Sequence, residues 1–334
     1  MSAEKIIDIR KLFVAYKTYA GQVKVLNGVD FFVNKGEKVS IVGETGCGKT
    51  TTVKSILKIL PRQAITSGGE IFFDGTDVLK MSRPEIKHLR SAGVSMIFQD
   101  PTMSLNPVYT IGQQMGAVIK YSGQTGCKDK KVQHAYAVRA LNETSMPDPE
   151  RMLASYPFQL SGGMRQRISI AMSLATPRSL VIADEPTTNL DVTVQDQVLR
   201  ILKDRVESAG SSLILITHSL GVARETTDRI YVMYAGNMVE TAPTGELFKA
   251  QLHPYTQALM SCIPKLAGGG VSEGIPGRIP NYLKPPTGCR FSDRCPYAED
   301  RCKKELPELQ DMGNGHMVAC FMHTGGRGKY EHDA

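Results

Sequence analysis

Lys38-Val39-Ser40-Ile41-Val42-Gly43-Glu44-Thr45-Gly46-Cys47-Gly48-Lys49-Thr50-Thr51 is the stretch that decides the fold. A short, largely apolar run ends in G-x-x-x-x-G-K-T, and a helix pattern follows with Val53, Ile56, Leu57 and Leu60 on one face, stopped by Pro61. Strand, glycine-rich loop and helix N-terminus together make a phosphate cradle. The glycines let successive backbone N–H groups turn inward, and the helix end adds partial positive charge. In such a loop Lys49 reaches the β- and γ-phosphates, and the Thr50 hydroxyl binds Mg²⁺. Cys47 fills a free position and reads as packing.

Working outward, Val94–Phe98, Leu180–Ala183 and Leu213–Ile216 repeat the short apolar run, with helical patterns between them. Near-continuous apolar strands suit a parallel sheet buried on both faces, so the class is α/β. Val25–Val33 and Gly69–Phe73, with closely spaced turn signals, predict a smaller antiparallel layer near the N-terminus. Residues from about 103 to 177 read as an inserted helical subdomain. Pro264, Gly268-Gly269-Gly270, Pro276, Pro280 and Pro285-Pro286 mark a break beyond which no regular element is expected. The expected division is therefore a cassette over 1–250 and an irregular Cys-rich extension over 251–334.

The apolar strands end in polar groups. Asp184-Glu185 follows Leu180–Ala183, Thr217-His218 follows Leu213–Ile216, and Gln99 follows Val94–Phe98. Strand ends converging on one edge form the ligand crevice of such a sheet. Asp184, Thr50 and Gln99 are the candidate Mg²⁺ shell, and Glu185 is placed to deprotonate an attacking water. The chemistry expected is phosphoanhydride hydrolysis.

Across 334 residues, 40 Lys and Arg against 33 Asp and Glu give a net charge of +7. That surplus favours anionic partners without choosing among them. No run reaches the roughly 18 apolar residues of a membrane span. The first ten residues, Met1 to Arg10, lack the apolar core of a signal peptide, so a soluble, cytosolic chain is expected.

Leu160-Ser161-Gly162-Gly163-Met164-Arg165-Gln166-Arg167 narrows the class. It resembles the signature motif of ATP-binding cassette (ABC) proteins. Tyr16, the phosphate loop, Gln99, the signature, Asp184-Glu185, Asn189-Leu190-Asp191 and His218 follow in that family's order. The resemblance implies a P-loop NTPase ABC cassette with a mostly parallel, RecA-like sheet, covering roughly residues 5–245. It implies ATP contacts at Tyr16 (stacking on adenine), Gly43, Thr45, Gly46, Cys47, Gly48, Lys49, Thr50, Thr51 and Gln99, and catalysis by Glu185 with His218 at the γ-phosphate. Ser161, Gly162, Gly163 and Asp191 would serve the nucleotide of a second subunit. The turn Ser161-Gly162-Gly163 opens a helix with Met164, Ile168, Ala171, Met172 and Ala175 on one side, so its N–H groups make a second anion site. One ATP would then be clasped by the phosphate loop of one subunit and the signature of another.

Gln99-Asp100-Pro101, Asn106-Pro107, Met164, His253-Pro254-Tyr255 and the cysteine tail resemble the oligopeptide/dipeptide branch of ABC importers, in its D-type ATPase subunit (dipeptide permease) form. The partners so implied are a second ABC ATPase subunit, in a homo- or heterodimer, two transmembrane permease subunits and an extracytoplasmic substrate-binding protein. The place implied is the cytoplasmic side of the plasma membrane, held peripherally. Uptake of nickel or another small solute, or a soluble ABC ATPase acting on nucleic acid, are the alternatives. Nucleic acid is not the expected partner, because no aromatic-basic stripe is present.

Cys289-x5-Cys295-x6-Cys302-x17-Cys320 places four thiols on the irregular tail. Soft thiolate sets select Zn²⁺ or iron–sulfur clusters, and the spacing matches neither tight zinc pairs nor a ferredoxin. The residues alone leave zinc and [4Fe-4S] open; the family resemblance points to [4Fe-4S]. Arg290, Arg294, Arg301, Lys303 and Lys304 are expected either to offset cluster charge or to form a solvated face.

Overall fold

The computed structural model describes residues 4–123, 127–188, 190–263 and 274–323. Asn189, Pro264 and the triple glycine at 268–270 lie outside the described residues. The strands are β1 (Lys5–Thr18), β2 (Gly21–Asn34), β3 (Lys38–Val42), β4 (Ala64–Phe73), β5 (Thr76–Asp77), β6 (Val94–Ile97), β7 (Leu180–Asp184), β8 (Ser212–Ile216), β9 (Arg229–Tyr234), β10 (Asn237–Pro243), β11 (Gln310–Asp311) and β12 (Met317–Val318). They form an antiparallel sheet ordered β2-β1-β4-β5 and a larger one ordered β11-β12-β10-β9-β3-β8-β7-β6.

In the larger sheet β9, β3, β8, β7 and β6 are mutually parallel. Their pleats divide the apolar residues between two faces. Val39, Ile41, Leu180, Ile182, Ile214 and Ile216 pack toward the antiparallel sheet and the helix Lys49–Ile56. Val181, Ala183, Leu213 and Leu215 pack toward Val198, Leu202 and Val206 of the helix Val192–Ser208. Two buried faces explain why the strands read as apolar runs without alternation. The register levels their ends: Ile41 and Asp184 both lie opposite Ile216, and Ile97 lies opposite Ala183. Gln99, Glu185, His218 and the loop after Val42 therefore leave the sheet along one edge.

Between β6 and β7 the chain forms helices Pro101–Ser104, Ile111–Lys120, Lys130–Glu143, Pro149–Ala154 and Gly162–Leu174. They share a core of their own, in which Ile111, Met115, Ile119, Leu141 and Ile168 are fully buried. Local chemistry starts them. Thr110 and Gln113 make a capping box, and Asp129, Asp148 and Ser161 each accept an N–H of the first turn.

The tail is more ordered than its composition suggests. After the helix Pro254–Ser261, residues 274–323 are mostly irregular, but β12 pairs with β10 and β11 pairs with β12. The reason is the exposed edge of β10, whose free N–H and C=O groups template further strands. Phe291 from the tail is buried with Tyr234 and Tyr255 in one aromatic cluster. Among the described residues no helix is long and apolar enough to cross a membrane.

Candidate nucleotide site

The loop after β3 needs its glycines for reasons internal to the chain. Gly43 has φ 149°, and a Cβ there would stand 2.1 Å from the Met233 carbonyl oxygen. Gly48 has φ 113° and would meet Leu26 at 2.8 Å. Gly46 also has positive φ, and with Thr45 it lies exposed at the loop's rim. Cys47 is buried, and burial pushes its thiol above the ordinary range, so it is neutral packing. The Lys49 side chain folds back, and Nζ donates to the carbonyls of Gly43 (2.7 Å) and Glu44 (3.0 Å).

The helix that Lys49 opens brings Thr50 to the end of β7, where its hydroxyl donates to Asp184 Oδ1 at 2.9 Å. Burial pushes the Asp184 carboxyl upward, against the pull of the Thr50 hydroxyl and of Lys54. A hydroxyl and a carboxylate side by side are hard oxygen donors of the kind Mg²⁺ selects. Tyr16 Oη lies 3.2 Å from Thr51 Oγ1, which fixes the β1 aromatic beside the start of the same helix.

Glu185 has a left-handed backbone, φ 46°, uncommon for a residue with a Cβ. Such strain, of order 1–3 kcal/mol, persists where the surroundings over-determine it. Here the Glu185 N–H donates to Ile216 O at 3.0 Å. Gln99 Nε2 and Thr188 Oγ1 donate to Glu185 Oε2 at 2.9 and 3.1 Å. His218 Nδ1 stands 3.8 Å from that oxygen, with an exposed ring. Gln99 thus touches the candidate base directly, while its link to Thr50 and Asp184 passes through the neighbouring backbone of Glu185. Thr188 was not singled out from the sequence; a Thr three residues after an acid is too common a signal.

Ser161, Gly162, Gly163 and Asp191 make no hydrogen bond to the phosphate loop. Ser161 and Gly162 are exposed, and the Ser161 hydroxyl caps its own helix at Met164. Asp191 likewise caps the helix Val192–Ser208 through Val194 N–H at 3.0 Å. The side-chain amide of Gln166 ties the signature helix to Pro186 O, next to Glu185.

Cys289, Cys295, Cys302 and Cys320 line one cavity of about 20 Å³ with His253, Phe291 and Phe321. Burial pushes the Cys289 thiol up to about 12, the Cys320 thiol up to about 11, and the Cys295 thiol upward. Four thiols around one cavity fit a thiolate-bound group in chemistry. The cavity itself has room for about one water. Among the described residues no group of three or more His, Cys, Asp or Glu is placed to hold a metal ion. The four thiols are thus brought to one cavity without the geometry of a metal site. Arg301, Lys303 and Lys304 are exposed and form the solvated face that is one of the two expectations, but Arg290 and Arg294 do not. Arg290 is buried and donates to Lys24 O and Ala235 O. The Arg294 side chain, 5% exposed, pairs with Glu44 of the phosphate loop.

A phosphate loop, an acidic strand end and an exposed helix-opening Ser-Gly-Gly on one α/β scaffold define an ABC ATP-binding cassette. Residues 26–188 match the ABC transporter family, residues 239–302 match the oligopeptide/dipeptide transporter C-terminal region, and an AAA-domain family overlaps at 154–224. The chain is 42% identical to the probable peptide ABC transporter ATP-binding protein y4tR of Sinorhizobium fredii, spanning 96% of this chain and 95% of that one. It is 41% identical to the dipeptide transport ATP-binding protein DppD of Bacillus subtilis over the same shares. Its fold is similar to the dimeric ATP-binding cassette MJ0796 bound to ADP and Pi, with TM-score 0.64 and 25% identity over 71% of this chain and 98% of that chain. The chain belongs to the ATP-binding proteins of the oligopeptide/dipeptide ABC transporter family, and it is an ATPase.

Proposed function

We propose that the protein is the ATP-hydrolysing subunit of a membrane importer of dipeptides or oligopeptides, and that it works as one of two paired cassettes. One observation carries the pairing. Gly162 is exposed, has no positive φ, and has nothing within 4 Å of where a Cβ would lie. No contact within the chain demands glycine there, and the turn leaves its N–H groups open to a phosphate and a second subunit.

In this reading Lys49 leaves the Gly43 and Glu44 carbonyls to meet the β- and γ-phosphates, while Thr50 and Asp184 hold Mg²⁺, which neutralises phosphate charge. Glu185 takes the proton of the attacking water, oriented by Gln99 and Thr188, and His218 contacts the γ-phosphate. Tyr16 flanks adenine. Ser161, Gly162, Gly163 and Asp191 act on the partner's nucleotide. ATP binding closes the pair and phosphate loss opens it.

The division proposed is a cassette over 1–250, with a helical subdomain over about 103–177, and an extension over 251–334. The helical subdomain around Gln99 to Tyr156 would receive two permease subunits, holding the cassettes on the cytoplasmic face of the membrane. The groove lined by Met81, Ile86, Arg90, Val118 and Tyr121 at its border is a candidate seat for them. An extracytoplasmic binding protein would deliver the peptide. Relatives that are themselves peptide and dipeptide transport ATP-binding proteins by name support that cargo. The four thiols remain the candidate [4Fe-4S] ligands, which requires their cavity to open. Anaerobically purified protein is then brown; a colourless preparation with stoichiometric zinc ends the iron assignment.

The test of the whole reading is Glu185→Gln. The variant should retain ATP, hydrolyse it at least 100-fold more slowly, and purify as a closed dimer with ATP. A variant that stays monomeric with ATP, both alone and with its membrane assembly, overturns the pairing; normal hydrolysis overturns the base assignment.

A further inference from the structure

Glu44 occupies a variable position of the phosphate loop, yet each of its polar groups is held. Its N–H donates to Tyr255 Oη at 2.9 Å. Its carbonyl accepts from Lys49 Nζ at 3.0 Å. Its carboxylate accepts a two-pronged contact from Arg294, Nη1 to Oε2 at 2.8 Å and Nη2 to Oε1 at 3.0 Å. A third tail residue, Tyr282, donates its hydroxyl to Gly46 O at 3.0 Å.

Arg294 is itself fixed. Nε donates to Pro276 O and Nη2 to Ile275 O, both at 2.8 Å, while Nη1 also lies 3.3 Å from Tyr234 Oη. The guanidinium packs near the Phe291 and Tyr234 rings. A planar fork held on this many sides aims its two remaining bonds with little freedom to lose.

The timing of these contacts matters. When Lys49 turns to the phosphates, the Gly43 carbonyl loses its Lys49 donor, and the Glu44 carbonyl keeps only the Cys47 N–H at 3.2 Å. The Glu44 amide and carboxylate stay held by Tyr255 and Arg294, and the Gly46 carbonyl by Tyr282, all three from the tail. A loop kept in shape from outside binds without reordering itself.

We propose that Arg294 is a positioning residue of the ATP site. Gripping Glu44, with Tyr282 at Gly46, it holds the phosphate loop ready, so the C-terminal extension sets nucleotide affinity. The proposal rests on residues 43–50 being the ATP site. Full-length protein that fails to bind ATP would remove that reading; full-length protein that binds ATP regardless of Arg294 would remove only this one.

The experiment is titration of the full-length chain with trinitrophenyl-ATP, together with steady-state ATPase kinetics. Arg294→Gln should raise Kd and KM about ten-fold and leave kcat within two-fold. Glu44→Ala should do the same, and the double variant should be no worse than either single one. Arg294→Lys, which keeps the charge and loses the fork, should fall between. Unchanged affinity in Arg294→Gln, losses that multiply in the double variant, or a fall in kcat at constant KM each overturn the proposal. Should Arg294→Gln not fold, Glu44→Ala and Tyr282→Phe carry the test from the two loop contacts separately. Both must raise KM several-fold, and a wild-type KM in either overturns it.

Discussion

The two glycine turns of this cassette, Gly43–Gly48 and Ser161–Gly163, both open helices, yet the chain treats them differently. The first is shaped from within. Gly43 and Gly48 have positive φ, and a Cβ on either would enter Met233 or Leu26. The second could accept a side chain: Gly162 faces open space, and a Cβ on Gly163 would make only ordinary contact with Val194 at 3.5 Å. One turn is a finished half-site. The other's glycines are not demanded by contacts within the chain, which is the arrangement that the proposed site divided between two subunits needs.

Alanine at each turn breaks or sharpens that contrast. Gly43→Ala should cost about 3 kcal/mol of stability through overpacking and backbone strain, and ATP binding should fall at least 100-fold. Gly162→Ala should leave thermal stability within about 0.5 kcal/mol of wild type, because nothing in the chain is displaced. Its paired ATPase activity should nonetheless fall at least ten-fold. Melting curves and ATPase rates on the same preparations decide it. Wild-type turnover in Gly162→Ala would mean that the turn meets no ligand.

Ser161→Ala probes the same turn with a smaller effect. Its hydroxyl satisfies the Met164 N–H at 3.3 Å, so its loss should cost about 1 kcal/mol of stability, seen in the denaturation midpoint. A loss of ATPase larger than that destabilisation explains would show that the hydroxyl also serves the partner's nucleotide.

The parts of this contrast that the sequence made legible are local ones. The phosphate loop is contiguous, the β-strands announce themselves because both faces are buried, and Gln99, Glu185 and His218 stand next to the apolar runs that position them. The order of the signature turn was legible too, through family resemblance. Arg294 was not. It lies 250 positions from Glu44, and beside Cys295 it read as a charge near a metal site or in solvent. No periodicity encodes a contact whose geometry depends on how the tail folds back over β9. The pairing of β12 with β10 escaped for a similar reason: two-residue strands in a Pro- and Gly-rich tail carry no pattern, and an open sheet edge supplies the order. The four cysteines were legible as a group, and the structure brings them to one cavity, but their spacing could not say how tightly the cavity closes.

The smallest effect expected comes from pH, and it concerns support of the first turn. His253 is fully buried; its Nδ1 accepts the Tyr255 N–H at 3.0 Å, capping the helix that carries Tyr255 to Glu44. Burial lowers its pKa to about 4, with His323 acting in the same direction and Glu240 opposing it. Burial pushes Glu240 upward, but hydrogen bonds from His316 and from the Leu252 and His253 N–H groups outweigh it and hold the carboxylate below its usual range. Both folded-state values are thus depressed, so both contributions to stability are present at higher pH and lost on acidification. For His253 the loss starts near its unfolded value of about 6.5 and ends near 4, because the unfolded chain takes up the proton first. Between pH 7 and 6 it amounts to about 0.7 kcal/mol. His253→Asn keeps an acceptor for Tyr255 without a titrating ring, so its stability should be flatter by that amount over the same interval. Parallel pH dependences in variant and wild type would remove His253 as the source and leave the carboxylates, whose effect begins only in stronger acid. The signature helix rests on Ile168, Ala171 and Ala175, which do not titrate, so mild acid should loosen the first turn's support before the second's.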